Sequence, residues 1–264
     1  MSSEYEIILY DIPSTLEEVT SSPNVWRTKL LLNYKKLSYK TIWVHFDDLE
    51  ATCKSIGAAP TSKKPDGSDS YTFPVISVKL TPDSTPIVVS DSPKIASFIE
   101  EKFPDPERPL FPEGSRALQA ALRSYLVTHV FFALVPVLME PYIATLVKPD
   151  YYASTRQIWF KVPLDQFIPK GDAEEEEWKK VEQGFDGVAA FLDENADGFS
   201  GAEADEKRLS VLGGQPSYVE LELVAFMYSM KRLGFQKGWE RLKDRNEGRW
   251  PKIMERYKEY LPVH

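Results

Sequence analysis

Phe103-Pro104-Asp105-Pro106-Glu107-Arg108-Pro109-Leu110-Phe111-Pro112 carries four prolines in ten positions. Proline lacks a backbone donor and fixes φ, so the stretch supports neither helix nor sheet and reads as a linker. The chain reads differently on its two sides. Before it, strand and helix signals alternate. Ile7-Ile8-Leu9-Tyr10 reads as a strand, residues 23–35 as a helix, and the β-branched and aromatic Tyr39-Lys40-Thr41-Ile42-Trp43-Val44-His45 as a second strand. Residues 47–56 form a short helical stretch carrying Cys53, and residues 57–70 a polar loop. Phe73-Pro74-Val75-Ile76-Ser77-Val78 and Ile87-Val88-Val89 read as strands joined by a hairpin through Pro82-Asp83-Ser84. Ser90-Asp91-Ser92 then opens a helix with Ile95, Ala96, Phe98 and Ile99 at helical spacing. After the linker, helical patterns cover residues 113–138, 174–192 and 217–233, with shorter ones around Trp239 and Ile253, and no strand pattern of comparable strength returns. The expected organisation is an α/β domain over 1–103, a linker over 104–112 and an all-α domain over 113–264.

The 264 residues are enough for two cores. A 42% apolar and 27% charged composition is ordinary for a soluble globular protein. The formal charge of −8 argues against nucleic acid as a partner, because phosphate binding needs a basic face. No apolar run reaches the roughly 18 residues of a membrane span; residues 131–139 come nearest and are broken by Pro136. The opening Met1-Ser2-Ser3-Glu4-Tyr5-Glu6 lacks the basic and apolar regions of a signal peptide. The single cysteine, Cys53, allows no internal disulfide and fits a reducing compartment. The expectation is a soluble, cytoplasmic protein that meets neither membrane nor nucleic acid. His45, His129 and His264 are too scattered for a zinc site, and Gly213-Gly214 is turn chemistry before a helix cap, so no metal is expected.

Ser22-Pro23-Asn24-Val25-Trp26-Arg27 is the segment that points to chemistry. Ser22 is a good N-cap and Pro23 suits the first helical position. The pair puts a hydroxyl and unpaired backbone N–H groups at the positive end of a helix, near a strand end. Such a place either caps a helix or holds a thiolate and lowers its pKa. The segment alone leaves both open.

The order βαβ(α)ββα is that of a thioredoxin-like unit. With the proline-rich linker and the all-α domain it resembles the cytosolic glutathione transferases over nearly the whole chain. Three local motifs carry the resemblance. Phe73-Pro74 stands where that family keeps a cis-proline, Asp91-Ser92 matches the acidic-Ser pair that opens the next helix, and Ser217-Tyr218-Val219-Glu220 matches the capping box of a buried helix, with Glu220 where Asp is usual. Residues 22–27 line up with the Cys-Pro-x-x-x-Arg segment of omega-type enzymes, with Ser in place of Cys. Trp26 before Arg27, the long insertion over 57–70 and the extended hairpin over 77–89 are most similar to the fungal-specific A (FuA) class and the related bacterial lignin β-etherases.

The resemblance implies glutathione as co-substrate and Ser22 as the catalytic residue, its hydroxyl donating to sulfur. A serine forms no mixed disulfide, so glutaredoxin-type exchange is not expected. For glutathione binding it implies Asn24, the backbone of Phe73 before Pro74 for the cysteinyl part, and Asp91 with Ser92 for the γ-glutamyl end. Lys63 or Lys64, and more weakly Lys40, would meet the glycyl carboxylate or else be solvated loop lysines. Tyr10, at the end of the first strand, is either a rival sulfur donor or an aromatic wall or core residue. The acceptor pocket is expected to draw on Tyr10, Arg116, Tyr125, His129, Phe132 and Tyr142, a set that also suits helix packing; aromatic rings with polar tips suit phenolic compounds. The implied activity is conjugation of glutathione to hydrophobic electrophiles by a homodimer, as in detoxification of xenobiotics. Glutathione-dependent aryl ether cleavage, or a ligandin that binds polyphenols without turnover, are the alternatives.

Overall fold

The computed structural model describes residues 5–16, 20, 22–214, 216–232 and 236–261. His264 and the expected helix end at Leu233 lie outside the described residues. Contacts divide the described chain into two units, one formed by the residues up to Asp105 with Ile143–Leu164, the other by Pro106–Tyr142 with the described residues from Asp165 onward.

The first unit holds β1 (Glu6–Asp11), α1 (Pro23–Tyr34), β2 (Lys40–Trp43), α2 (Leu49–Ser55), β3 (Ser62–Lys63), β4 (Asp69–Ser70), β5 (Val75–Lys79), β6 (Ile87–Ser90) and α3 (Ser92–Lys102). The main sheet has the order β2-β1-β5-β6, with β1 parallel to β2 and antiparallel to β5, and β5 antiparallel to β6. This is the thioredoxin-like unit. Register decides what shares an end of the sheet. Tyr10 lies opposite Ile42 and Val75, and Val75 opposite Ser90. Asp11, Pro74 and Asp91 are therefore the next residues outward on three adjacent strands, and α1 begins at that same carboxyl end of β1. Lys40, at the start of β2 and level with Ile8, sits at the opposite end and pairs with Glu6 at 3.0 Å.

Helix α1 is buried on nearly every face, from Val25 through Leu32, as expected of a helix enclosed by its own core. It packs on α3, and Leu30, Leu31, Ile95 and Ile99 of the two helices are all fully buried. The polar loop read over 57–70 contains a small ladder, β3 with β4, in which Ser62 faces Ser70 and Lys63 faces Asp69. Serine, lysine and aspartate are weak strand formers, so side-chain type gave no sign of it.

The segment Ile143–Leu164 joins the first unit by specific contacts. Thr15 N–H donates to the Thr145 carbonyl at 2.8 Å, Lys148 pairs with Asp47 at 2.6 Å, and Tyr152 meets Phe46 edge-on at 4.8 Å. Its helix α6 (Pro149–Phe160) was not anticipated; Tyr151, Tyr152, Ser154 and Thr155 have modest helix propensity, and burial of Tyr152 supplies what propensity does not.

The second unit is helical: α4 (Arg116–Tyr125), a π-helical turn over Leu126–Phe131, α5 (Phe132–Ala144), α7 (Leu164–Phe167), α8 (Asp172–Asp193), α9 (Gly201–Lys207), α10 (Tyr218–Arg232), α11 (Gln236–Leu242) and α12 (Arg249–Arg256). Pro136 and Pro141 lie inside α5 without ending it, as the helical reading through residue 138 allows for Pro136. Burial of Leu134 and Met139 offsets a cost of about 3 kcal/mol per interior proline. Among the described residues the continuous stretch Arg116–Ala144 is long and apolar enough to cross a membrane by length and composition alone, which corrects the expectation that no such run exists.

Helix α10 is the core of this unit, buried from Tyr218 to Met227. Its start departs from a reciprocal capping box. Glu220 accepts from Ser217 N–H at 3.0 Å, but the Ser217 hydroxyl donates to Glu220 at 3.2 Å instead of capping the helix. Tyr257 Oη–H at 2.9 Å, Val211 N–H and the Ser210 hydroxyl donate to it as well. Burial pushes the Glu220 carboxyl up, and these donors pull it back. A buried acid that draws every nearby donor explains why the serine hydroxyl turns toward it.

Candidate active site

The carboxyl end of the main sheet gathers the groups that sequence reasoning singled out. Ser22 is the N-cap of α1 with extended backbone (φ −95°, ψ 117°), and Pro23 fills the first helical position. Ser22 Oγ accepts from Val25 N–H at 3.4 Å, a long bond, and its own proton goes to no acceptor among the described residues. The side chain is 6% exposed. The hydroxyl is thus a fixed donor beside the N–H groups of a helix start, where negative charge is favoured. Asn24 follows, half-buried, on the first turn.

On the next strands, the Phe73–Pro74 peptide is cis and both residues are buried. Asp91 precedes α3 with φ 81°, a left-handed conformation that costs a non-glycine residue about 1–3 kcal/mol and persists only when its surroundings impose it. Its carboxylate makes no capping bond to α3. Ser92 is the first residue of that helix and is 4% exposed. A carboxylate not spent on its own helix, next to a helix start, is suited to an ammonium and a carboxylate side by side.

Other expected residues are placed less simply. Tyr10 is 7% exposed and its ring lies 6.2 Å from that of Phe73. Burial, then the nearby Cys53, raises its pKa, so the phenol keeps its proton. Burial suits a wall or core residue, and the retained proton equally suits a donor to sulfur. Lys63 pairs with Asp69 at 2.5 Å and Lys64 with Glu50 at 2.7 Å, so both ammonium groups already have partners. In the second unit, Arg116 is exposed and stacks over Phe111 at 4.1 Å. Tyr125 Oη–H donates to the Gly184 carbonyl at 3.3 Å, and its ring packs on His129 at 4.5 Å and Phe191 at 4.9 Å, a helix-packing arrangement against α8. Phe132 is 60% exposed and Tyr142 half-buried.

Sequence reasoning passed over a buried polar group at the end of β1. Asp11 is fully buried and pairs with Lys29 of α1 at 2.8 Å. An aspartate just past an apolar run reads as a loop residue, and Lys29 as one more exposed helix lysine. Only the α1 burial pattern, with no polar face, could have flagged it. Among the described residues no group of three or more His, Cys, Asp or Glu could hold a metal.

Two family models match in order along the chain: glutathione S-transferase, N-terminal domain, over residues 21–102, and glutathione S-transferase, C-terminal domain, over residues 117–260. The solved structure of glutathione transferase GSTFuA3 from Phanerochaete chrysosporium is 34% identical, with a TM-score of 0.86 over 99% of this chain and 100% of that one. A Ceriporiopsis subvermispora glutathione S-transferase, CsGST63524, solved with glutathione, is 32% identical with a TM-score of 0.85 over 98% and 99% of the two chains. The glutathione S-transferase-like protein ustS of Aspergillus flavus is 27% identical over 94% of this chain and 88% of its own. With a thioredoxin-like unit ending in Ser22, Phe73–Pro74 and Asp91–Ser92, and both domain models matched in sequence, the chain belongs to the glutathione S-transferase family, resembles its fungal FuA class and is a glutathione transferase.

Proposed function

We propose that this glutathione transferase joins the glutathione sulfur to hydrophobic, aromatic electrophiles, with Ser22 holding the sulfur as thiolate. The observation that carries the reading is the Ser22 hydroxyl, buried at the start of α1 with its proton given to no acceptor among the described residues. A free cysteine thiol has a pKa near 8.5 and is mostly protonated at neutral pH, whereas the thiolate is the nucleophile. A donated Oγ–H and the field of α1 both favour the anion. Asp91 meets the α-ammonium of the γ-glutamyl end, Ser92 N–H its carboxylate, the Phe73 backbone the cysteinyl peptide, and Asn24 lies beside the thiol. Lys64 or Lys63 meets the glycyl carboxylate by sharing charge with its present carboxylate partner.

Serine cannot make a mixed disulfide, so the reaction is addition or displacement at carbon. The thiolate electron pair forms the new C–S bond, and the proton lost by the thiol leaves to solvent. In displacement the leaving group departs with the pair of the bond it gives up; in addition the π pair shifts onto the acceptor and takes up a proton from solvent. The buried lone Cys53 fits a reducing, cytoplasmic setting, and the family likeness supports a homodimer.

The test is binding and turnover with the full chain. Glutathione at millimolar concentration should raise the melting temperature by mass action. Asp91→Ala should weaken binding by about 1.5–3 kcal/mol as a charge-assisted bond is lost. Ser22→Ala should retain binding and lose turnover. Absence of a thermal shift sinks the glutathione site; a shift with tight binding of phenolic compounds and no conjugate formed replaces the enzyme by a binding protein.

A further inference from the structure

We propose that the buried pair Asp11–Lys29 acts through Thr20 as the anchor that positions Ser22; this rests on the assignment of Ser22 as the sulfur's partner. The contacts form one continuous chain. Lys29 Nζ lies 2.8 Å from Asp11 Oδ2, and both side chains are at most 1% exposed. Asp11 Oδ1 accepts from Ile12 N–H at 2.7 Å and from the Thr20 hydroxyl in a short bond. Thr20 Oγ1 in turn accepts from Ser22 N–H at 3.1 Å. A carboxylate facing Thr20 leaves its hydroxyl no choice of direction. The proton goes to Asp11, and a lone pair is presented to Ser22. The Ser22 N–H precedes the helix and has no intrahelical acceptor, so this bond fixes the backbone from which Oγ projects.

Geometry says why the anchor is an ion pair rather than an apolar contact. Lys29 and Ser22 lie seven residues apart, about 10 Å along α1. The helix is therefore tied to the end of β1 at two separated points, directly through Lys29 and by way of Thr20 at its start. Lys29 Nζ is further boxed by the Trp43 ring at 4.6 Å, and Trp43 is the register partner of Asp11 on β2. Burying such a pair gives little net stability, and apolar replacements of equal volume are often neutral or better. What an apolar pair cannot do is hold the Thr20 hydroxyl, and through it the Ser22 backbone. Misplacement of a donor by about 1 Å is enough to lose much of a transition-state contact. Asp11, Thr20 and Lys29 are positioning residues; none touches the reacting sulfur.

The experiment titrates the ultraviolet thiolate absorbance of glutathione bound to the full-length protein, with melting temperature as the check on folding. The series is wild type, Ser22→Ala, Thr20→Val, Thr20→Ser and the paired Asp11→Leu/Lys29→Met, which leaves no buried charge unmatched. Thr20→Val and the paired variant should melt near wild type yet move the ionisation midpoint upward, in the direction of Ser22→Ala, with kcat reduced roughly tenfold and the KM for glutathione little changed. Thr20→Ser should restore the wild-type midpoint. If Ser22→Ala moves the midpoint and Thr20→Val does not, the anchor is wrong while the serine assignment stands. Equal shifts in Thr20→Val and Thr20→Ser would mean packing rather than hydrogen bonding, which also overturns it. An unmoved midpoint in Ser22→Ala removes the serine assignment and the anchor together.

Discussion

Gly184 sits where α8 crosses the π-helical turn, and its replacement by alanine has a cost that can be worked from the structure. A Cβ built at Gly184 falls 2.2 Å from the carbonyl oxygen of His129, 2.9 Å from its carbonyl carbon and 3.2 Å from a Val130 methyl. The first two are backbone atoms of the neighbouring turn, so no rotamer change relieves them and one helix must move. Overpacking of this kind costs up to about 3 kcal/mol. Against it stands the helix-propensity gain of glycine to alanine, about 1 kcal/mol. Gly184→Ala should therefore destabilise by about 2 kcal/mol. Gly187, one turn on, is the control. Its Cβ would lie 1.8 Å from Tyr125 Oη, the tip of a side chain that can swing aside at the cost of its 3.3 Å bond to the Gly184 carbonyl. Gly187→Ala should cost about 1 kcal/mol or less. Urea unfolding of the three proteins measures both. A Gly184→Ala midpoint at or above wild type, or a larger loss in Gly187→Ala, would refute the crossing geometry.

Burial, then the Glu50 charge, pushes Cys53 up to about 11. Its unfolded value is near 8.5, so the native state keeps the proton that the unfolded chain loses, and this stabilisation fades as pH rises through that window; Cys53→Ala should flatten the decline in urea midpoint, and iodoacetamide near neutral pH should label Cys53 only after denaturation. Glu182 pairs with Arg241 at 2.9 Å and Arg245 at 3.2 Å. Glu182→Gln should cost about 1 kcal/mol at low salt and less at molar salt, read as urea midpoints in both. Ser22→Cys puts a thiol at the helix start, and thiol–disulfide exchange with a glutathione mixed disulfide should appear where wild type shows none.

Much of the architecture is legible in local chemistry. Four prolines in the linker, β-branched strands before it and helical spacing after it carry the two-part fold. Ser22-Pro23 announces a helix start because capping is a property of adjacent residues. What stayed hidden depends on partners far apart in sequence. Asp11 and Lys29 each look exposed until β1 and α1 are packed. Lys63 and Lys64 look free until the β3–β4 ladder brings Asp69 to one and α2 brings Glu50 to the other. Tyr125 and His129 read as an aromatic stripe with polar tips, and only the crossing at Gly184 shows what that stripe packs against. The segment 143–164 gives no sign in sequence that it packs with the residues preceding the linker, since its contacts, Lys148 to Asp47 and Tyr152 to Phe46, are set by tertiary folding alone.

The role of Ser22 is tested most directly by a crystal structure of the protein with glutathione bound. The sulfur should lie within hydrogen-bonding reach of Ser22 Oγ, at the first turn of α1 and on the Pro74 and Asp91 side of the sheet. A sulfur bonded to Tyr10 Oη instead, or one with Ser22 Oγ turned away and capping Val25 N–H alone, would contradict it.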